Sequence, residues 1–116
     1  MLVLLVDDES ALRGLAARGL RASGYEVVEA STGKDALSVA ESYPRRIDLL
    51  LTDLSMPDMD GSELAKRLKA AHPDLKVLYM SGYTESLPGD AAYIQKPFTM
   101  RALAEKVRGV LGTGNR

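Results

Sequence analysis

The sequence contains no cysteine, so it offers no disulfide framework, no thiolate metal ligand and no thiol nucleophile. It also lacks an excess of either charge, because 15 basic and 16 acidic residues leave a net charge of -1. The basic residues are scattered over several predicted helices, and we expect this chain to contact neither nucleic acid nor a membrane. The apolar start, MLVLLV, is too short for a signal-peptide core or a membrane span. We expect a soluble, cytoplasmic domain.

Short apolar runs alternate with amphipathic stretches of helical length, which is the pattern of strand–helix units around a parallel sheet. Runs such as LLLT are apolar on both faces, as expected for strands that are covered by helices on both sides. With 116 residues we expect one domain over residues 1–112 and a frayed tail over residues 113–116. The predicted strands span residues 2–6, 26–30, 47–53, 76–81 and 92–94, and the predicted helices span residues 10–23, 32–42, 61–72 and 99–111.

The ends of the predicted helices carry typical residues. Gly24 and Gly112 stand where a helix commonly ends on a glycine, and Pro73 cannot continue a helix. His72, the only histidine, comes just before Pro73. A surface position, or an interaction with the helix dipole, is favoured there over a phosphohistidine role.

The acidic stretch LTDLSMPDMDG has the look of a calcium-binding loop. Such a loop takes oxygen ligands at its first, third and fifth positions, glycine at the sixth and glutamate at the twelfth. With the glycine of this stretch at the sixth position, Met56 would be first and Arg67 twelfth, which excludes the calcium site. Asp60 and Glu63 instead resemble a capping box. We therefore interpret Asp58 and Asp60 as structural residues at the start of the next helix.

Carboxylates follow or end two of the predicted strands. Asp53 ends the third strand, and Asp7 and Asp8 follow the first. The carboxyl ends of parallel strands meet at one edge of a sheet, and the first and third strands are usually neighbours, so the three carboxylates should converge. Their repulsion is roughly several kcal/mol per close pair at an effective dielectric constant of about 20, which favours binding of a cation. Hard oxygen ligands with room for water and phosphate favour Mg²⁺.

Two further strand ends carry complementary groups. Ser81 ends the fourth strand with a hydroxyl that can donate to an oxyanion, and Lys96 follows the fifth with an ammonium that can neutralise a phosphoryl oxygen. A carboxylate nucleophile, a divalent cation, a hydroxyl and a lysine are the groups that phosphoryl transfer to an aspartate needs. The sequence therefore predicts an aspartyl-phosphate site.

Four motifs in order, VDDE, DLSMPDMDG, MSG and YIQKPF, resemble the receiver domain of two-component response regulators and hybrid histidine kinases. MSGY and QKPF are similar to receivers attached to hybrid sensor kinases. The resemblance covers nearly the whole chain and implies a CheY-like α/β fold. In this flavodoxin-like fold, five parallel strands form a doubly wound sheet in the order 2-1-3-4-5, with helices on both faces.

The same resemblance implies a phosphoacceptor in a two-component phosphorelay. The phosphoryl group would come from phosphohistidine on a histidine kinase or a histidine phosphotransfer domain, and the receiver would then change conformation for signalling. Such a domain is not classed as an enzyme, although it assists its own phosphorylation and dephosphorylation.

Individual roles are carried over position by position. The resemblance makes Asp53 the phosphoacceptor, with Ser81 hydrogen-bonded to the phosphoryl group and Lys96 paired with it. Tyr93 would be a switch that turns inward when Ser81 moves toward the phosphate. The peptide bond between Lys96 and Pro97 would be cis, a form tolerated almost only before proline.

The resemblance also implies a Mg²⁺ site. Asp8, Asp53 and the backbone carbonyl of Ser55 would ligate the ion. Asp7 would act mainly through water.

One segment departs from the family. Only the eleven residues 82–92 separate Ser81 from Tyr93, where the family places a helix and two connections. A helix alone averages about 11 to 12 residues. We therefore expect the helix between the fourth and fifth strands to be missing or reduced to a turn.

Two other functions are compatible with a doubly wound sheet. A flavin-binding electron carrier needs a Ser/Thr/Gly-rich phosphate loop after the first strand, where DDES would repel a phosphate. An aspartate-nucleophile phosphatase would have a second acid two residues after the nucleophile, where this chain has Ser55. The receiver is favoured, and the flavin carrier is the alternative.

Overall fold

A computed structural model describes residues 1–82 and 91–112, in which strands and helices alternate as far as the fourth strand. Within these residues, the strands form one parallel sheet in the order β2-β1-β3-β4-β5, as predicted. The elements are β1 (Leu2–Val6), α1 (Ser10–Ala22), β2 (Glu26–Ala30), α2 (Gly33–Ser42), β3 (Leu49–Asp53), α3 (Gly61–Ala71), β4 (Lys76–Ser81), β5 (Tyr93–Gln95) and α4 (Met100–Leu111).

Helices cover both faces of the sheet. Successive residues of a strand point to opposite sides, so β1 contributes to two separate apolar clusters. Leu4 and Val6 share a cluster with residues of α2 and α3, whereas Val3 and Leu5 share one with residues of α1 and α4. Every residue of β1 and β3 is buried, which confirms the interpretation of their continuous apolar runs.

Element ends differ from the predicted ones by one or two residues. Helices α2 and α4 begin one residue later than predicted because Thr32 and Thr99 are N-caps, whose hydroxyls accept hydrogen bonds from N–H groups three residues further on. Strand β3 begins at Leu49 and not at residue 47, and the Asp48 side chain just before it accepts a hydrogen bond from the Leu2 N–H. Strand β5 is displaced by one residue, and α1 and α3 end one residue early.

Three residues expected to lie at helix ends do so, although α1 and α3 are one residue shorter than predicted. Gly24 has a φ of 98° just after α1, and its N–H donates to the Arg21 carbonyl, as in a Schellman motif. Gly112 is the left-handed C-cap of α4. His72 is the C-cap of α3, at the end of the helix dipole.

Two predictions concern segments with residues that the structure does not describe. The missing or reduced helix concerns residues 82–92, of which 83–90 lie outside the described residues, and the frayed tail concerns residues 113–116, which also lie outside them; both stay predictions. In the described part of the chain, every helix is too short or too polar to cross a membrane.

Candidate functional site

Polar side chains meet at the carboxyl edge of the sheet. Asp53 is the last residue of β3 and Ser81 is the last residue of β4. The strand registers place Asp53 opposite Met80 and Ser81 opposite Gln95, so these strand ends are nearly level. Lys96 follows β5, and its N–H donates to the Ser81 carbonyl at 2.8 Å. The sheet thereby brings together residues that are far apart in the sequence.

Three carboxylates form a cluster at this edge. One oxygen from each of Asp7, Asp8 and Asp53 lies within 4.8 Å of the corresponding oxygens of the other two. Asp7 is fully buried and Asp53 is 7% exposed, whereas Asp8 is exposed to solvent. The predicted convergence is confirmed.

The polar atoms of Asp7 are held from several sides. Its N–H donates to the Ala30 carbonyl at 3.2 Å, its Oδ1 accepts from the Glu9 N–H at 2.9 Å, and its carbonyl accepts from Arg13. Among the described residues, its buried Oδ2 has no hydrogen-bond partner. The Lys96 Nζ lies 3.4 Å from this oxygen, an ion pair without hydrogen-bond geometry. Asp7 therefore presents to the site an oxygen that is ion-paired with Lys96 and makes no hydrogen bond within the described residues.

Lys96 lies between two carboxylates. Its Nζ is 3.2 Å from Oδ2 of Asp53 and 3.4 Å from Oδ2 of Asp7, and its side chain is largely buried. Burial alone would lower the pKa of Lys96, but the charges of Asp53 and Asp7 outweigh it and raise the pKa. The ammonium therefore stays protonated and partly balances the acidic cluster.

The carboxyl of Asp53 has a perturbed affinity for protons. Burial raises the pKa of Asp53 above its ordinary value, and the nearby Asp7 raises it further. The ammonium of Lys96 and a hydrogen bond from the Ser55 N–H act in the opposite direction without reversing the shift. The negative charge of ionised Asp53 is therefore only partly balanced by its surroundings, and a further cation would balance more of it.

The cluster fits a hard divalent cation. Three carboxylates against one ammonium leave two negative charges without a partner within the cluster. The donors are oxygens, and Oδ2 of Asp7 lacks a hydrogen bond in the described part of the chain. Carboxylate oxygens beside solvent, here at exposed Asp8, are the ligands that Mg²⁺ prefers.

Gly61 packs against the backbone of Asp53, the candidate nucleophile. Its N–H donates to the Leu54 carbonyl at 2.8 Å, and a Cβ at this position would overlap the Asp53 carbonyl oxygen. The first residue of α3 must therefore be very small if β3 is to keep its position. Because the close approach is made across the loop after β3, the sequence pattern did not reveal it.

The two other acids of the loop have different partners. Asp60 caps α3 and accepts a hydrogen bond from the Glu63 N–H at 2.8 Å, as predicted. In a capping box the Glu63 side chain would also accept a hydrogen bond from the Asp60 N–H. Here the Glu63 carboxylate pairs with Arg67 instead. The interpretation of Asp58 as a structural residue is confirmed, but its placement at the start of α3 is wrong. Its carboxylate accepts from the first two N–H groups of α2, at 3.2 and 2.9 Å.

The remaining predicted residues lie near the same edge of the sheet. Ser81 is buried, and Ser55 is exposed in the loop after β3. Tyr93 begins β5 with a side chain that is 44% exposed. The Lys96–Pro97 bond is cis, which confirms that prediction. The roles assigned to Ser55, Ser81 and Tyr93 stay predictions.

Arg13 is a further residue of this region that the sequence did not single out. Its guanidinium on α1 contacts both the Asp7 carbonyl and Glu29 of β2. Helical spacing placed Arg13 largely away from the apolar face of its helix. No local signal marks the contact, because Glu29 is 16 residues further along the chain.

Comparisons with known proteins agree with this geometry. The response regulator receiver domain family matches residues 3–108. The chain is 40% identical to the sensor kinase CckA of Brucella abortus (strain 2308) over 94% of its own length, and it spans 12% of that kinase. It is 34% identical to the response regulator receiver protein CpdR of the same strain, over 94% of this chain and 95% of that protein.

A solved structure extends the likeness to three dimensions. The receiver domain from the hybrid histidine kinase CckA matches with a TM-score of 0.84 and 39% identity, over 96% of this chain and 99% of that one. Sequence family, sheet order and the acidic cluster thus agree, and the chain belongs to the response regulator receiver domains of two-component signalling.

Proposed function

We propose that this domain accepts a phosphoryl group from phosphohistidine onto Asp53, with Mg²⁺ as cofactor, and changes conformation for signalling. One observation carries the proposal: Asp53 is a buried carboxylate at the sheet edge, 3.2 Å from the Lys96 ammonium and inside the acidic cluster. A carboxylate held beside a fixed cation is suited to attack phosphorus, because the cation also stabilises the charge on the transferred group.

The proposed step forms one bond and breaks another. A carboxylate oxygen of Asp53 bonds to phosphorus while the bond between phosphorus and the imidazole nitrogen of the donor breaks, and the electron pair stays on that nitrogen. Lys96, kept protonated by its raised pKa, pairs with a phosphoryl oxygen of the product. The hydroxyl of Ser81 donates to another phosphoryl oxygen.

Mg²⁺, when bound, would neutralise part of the acidic cluster and polarise the phosphoryl oxygens. We propose that Asp8, Asp53 and the backbone carbonyl of Ser55 hold it, with Asp7 acting mainly through water. Tyr93, exposed in this structure, would then turn inward as Ser81 moves toward the phosphate.

The donor would be a histidine kinase or a histidine phosphotransfer domain in the cytoplasm. The matched relatives include a sensor kinase and a receiver protein of nearly this length, so the names support both a hybrid-kinase context and a stand-alone one. We favour the hybrid context, because the compared receiver of a hybrid histidine kinase is the more similar in sequence.

The test uses two small phosphodonors and intact-mass measurement. Wild-type protein incubated with Mg²⁺ and acetyl phosphate should gain the mass of one phosphoryl group. Phosphoramidate, whose phosphorus–nitrogen bond imitates that of phosphohistidine, should give the same product. Asp53→Asn should gain nothing, whereas Asp60→Asn, which changes a capping acid in the same way, should react like wild type.

No mass gain in the wild type, or an undiminished gain in Asp53→Asn, would contradict the proposal. The flavin-binding alternative is not favoured, because the family match and the acidic turn after β1 both oppose it. A colourless purified protein is the expected observation.

A further inference from the structure

We propose that Arg13 is a positioning residue for the cation site. It holds the turn between β1 and α1, and therefore Asp7 and Asp8, in the arrangement that binds Mg²⁺. The inference rests on the proposed function, since it concerns the same site. It adds a residue that contacts neither the phosphoryl group nor the metal ion in that proposal.

The Arg13 guanidinium joins three elements of the fold. Its Nη1 donates to the backbone carbonyl of Asp7 at 2.7 Å, and its Nε donates to Oε1 of Glu29 at 3.3 Å. Glu29 is also held by Arg21, whose Nη1 lies 3.5 Å from Oε2. The Arg13 side chain is only 19% exposed, so its own contacts are partly shielded from water. A planar, multidentate donor is required to make both contacts at once.

The contact between Arg13 and the Asp7 carbonyl affects the orientation of the proposed metal ligands. The Asp7 carbonyl belongs to the planar peptide group that joins Asp7 to Asp8, so the oxygen that Arg13 holds sets the orientation of that plane. The Asp7 side chain is held as well, because its Oδ1 accepts a hydrogen bond from the Glu9 N–H. Together these contacts determine the direction in which both acids leave the strand.

Positioning and simple electrostatics predict opposite results for loss of Arg13. Arg13 is a cation near an acidic cluster, so its removal should strengthen Mg²⁺ binding if charge alone mattered. If Arg13 positions the acids, its removal should weaken Mg²⁺ binding. Removing an outer partner of metal ligands typically costs about 10-fold or more in metal affinity. The sign of the change therefore separates the two roles.

The experiment measures Mg²⁺ affinity by calorimetric titration of the wild type and three variants. We expect Arg13→Gln to weaken binding by about tenfold. Arg13→Lys should lose less Mg²⁺ affinity, because an ammonium can donate to one of the two acceptors but lacks the planar set of N–H donors of the guanidinium. Arg18→Gln removes the same charge from an exposed position on the same helix and should bind Mg²⁺ like the wild type.

A metal-free measurement accompanies the titration. In EDTA, Arg13→Gln should shift the Glu9 amide resonance and speed its hydrogen exchange, because the acceptor of that amide moves with the turn. The melting temperature in EDTA shows whether the fold survives. Arg18→Gln should leave the Glu9 amide resonance and its exchange rate as they are in the wild type.

Each outcome decides a separate question. Mg²⁺ binding by folded Arg13→Gln that is equal to or tighter than in the wild type would overturn the inference. If that variant does not fold, Arg13→Lys decides, and an affinity equal to the wild-type value would overturn it. Absence of Mg²⁺ binding in the wild type would instead overturn the proposed function, and the inference with it.

Discussion

Replacing Asp53 by asparagine changes the charge of the acidic cluster with little change in shape. Without metal, ionised Asp53 is attracted by Lys96 and repelled by Asp7 and Asp8. We expect Asp53→Asn to raise the melting temperature in EDTA, because the repulsion and the cost of burying the charge together exceed the attraction. The raised pKa of Asp53, caused first by burial, has the same sign: the folded state disfavours the ionised carboxyl.

The distances give the size of the effect. At an effective dielectric constant of about 20, the Lys96 ammonium at 3.2 Å attracts the Asp53 carboxylate by about 5 kcal/mol. Asp7 and Asp8, each within 4.8 Å, repel it by about 3.5 kcal/mol apiece, less at Asp8 because solvent screens an exposed charge. The repulsion exceeds the attraction by about 1–2 kcal/mol, which corresponds to a rise of about 5 °C in a domain of this size.

The assay is thermal unfolding followed by circular dichroism in EDTA and then with Mg²⁺. Lys96→Met is the matched comparison and should melt lower than the wild type, because it leaves Asp7 and Asp53 without their cation. Mg²⁺ at 100 times its dissociation constant should stabilise the wild type by about 2.7 kcal/mol. Asp53→Asn should gain less, since it has lost a proposed ligand.

A clear fall in melting temperature for folded Asp53→Asn in EDTA would refute the reasoning. It would mean that the attraction of Lys96 outweighs both the repulsion within the cluster and the cost of burial. A larger stabilisation by Mg²⁺ in Asp53→Asn than in the wild type would contradict the assignment of Asp53 as a ligand.

Two further predictions are tested by urea unfolding. Gly61→Ala should destabilise by about 1–3 kcal/mol because the methyl group overlaps the Asp53 carbonyl, whereas Gly109→Ala, in open space on α4, should stabilise by about 0.5–1 kcal/mol; equal effects would contradict this. Asp60→Ala should cost about 1 kcal/mol at neutral pH. A hydrogen bond from the Glu63 N–H is the main cause that lowers the pKa of Asp60, so this contribution is present above the unfolded-state pKa of about 4 and is lost in acid below it. A difference from the wild type that persists undiminished in acid would contradict the contribution of the ionised carboxylate to the cap.

Most of the sheet could be predicted because its signals are local. Most strands are short apolar runs, each strand ends at or just before a polar residue, and such runs are recognisable without knowledge of their partners. Three strands have the predicted bounds, and the others differ only at their ends. The starts of α2 and α4 shifted by one residue because Thr32 and Thr99 are N-caps, whose side-chain hydrogen bonds a periodic pattern does not reveal.

The convergence of the site could also be predicted, although its members are far apart in the sequence. Parallel strands place their carboxyl ends at one edge, so identifying the strands was sufficient to bring Asp7, Asp53 and Lys96 together. The capping role of Asp60 followed from its place before α3. The return contact of Glu63 did not, because Arg67 competed for its carboxylate.

By itself, the sequence determined the α/β class, the strand ends and the identity of the charged groups at the sheet edge. Only the tertiary structure decided which N–H groups Asp58 would accept from, that Arg13 would hold the Asp7 carbonyl, and that Gly61 would lie against Asp53. The reason is physical: periodicity and capping are properties of neighbouring residues, whereas these contacts depend on how separate loops and helices pack against one another.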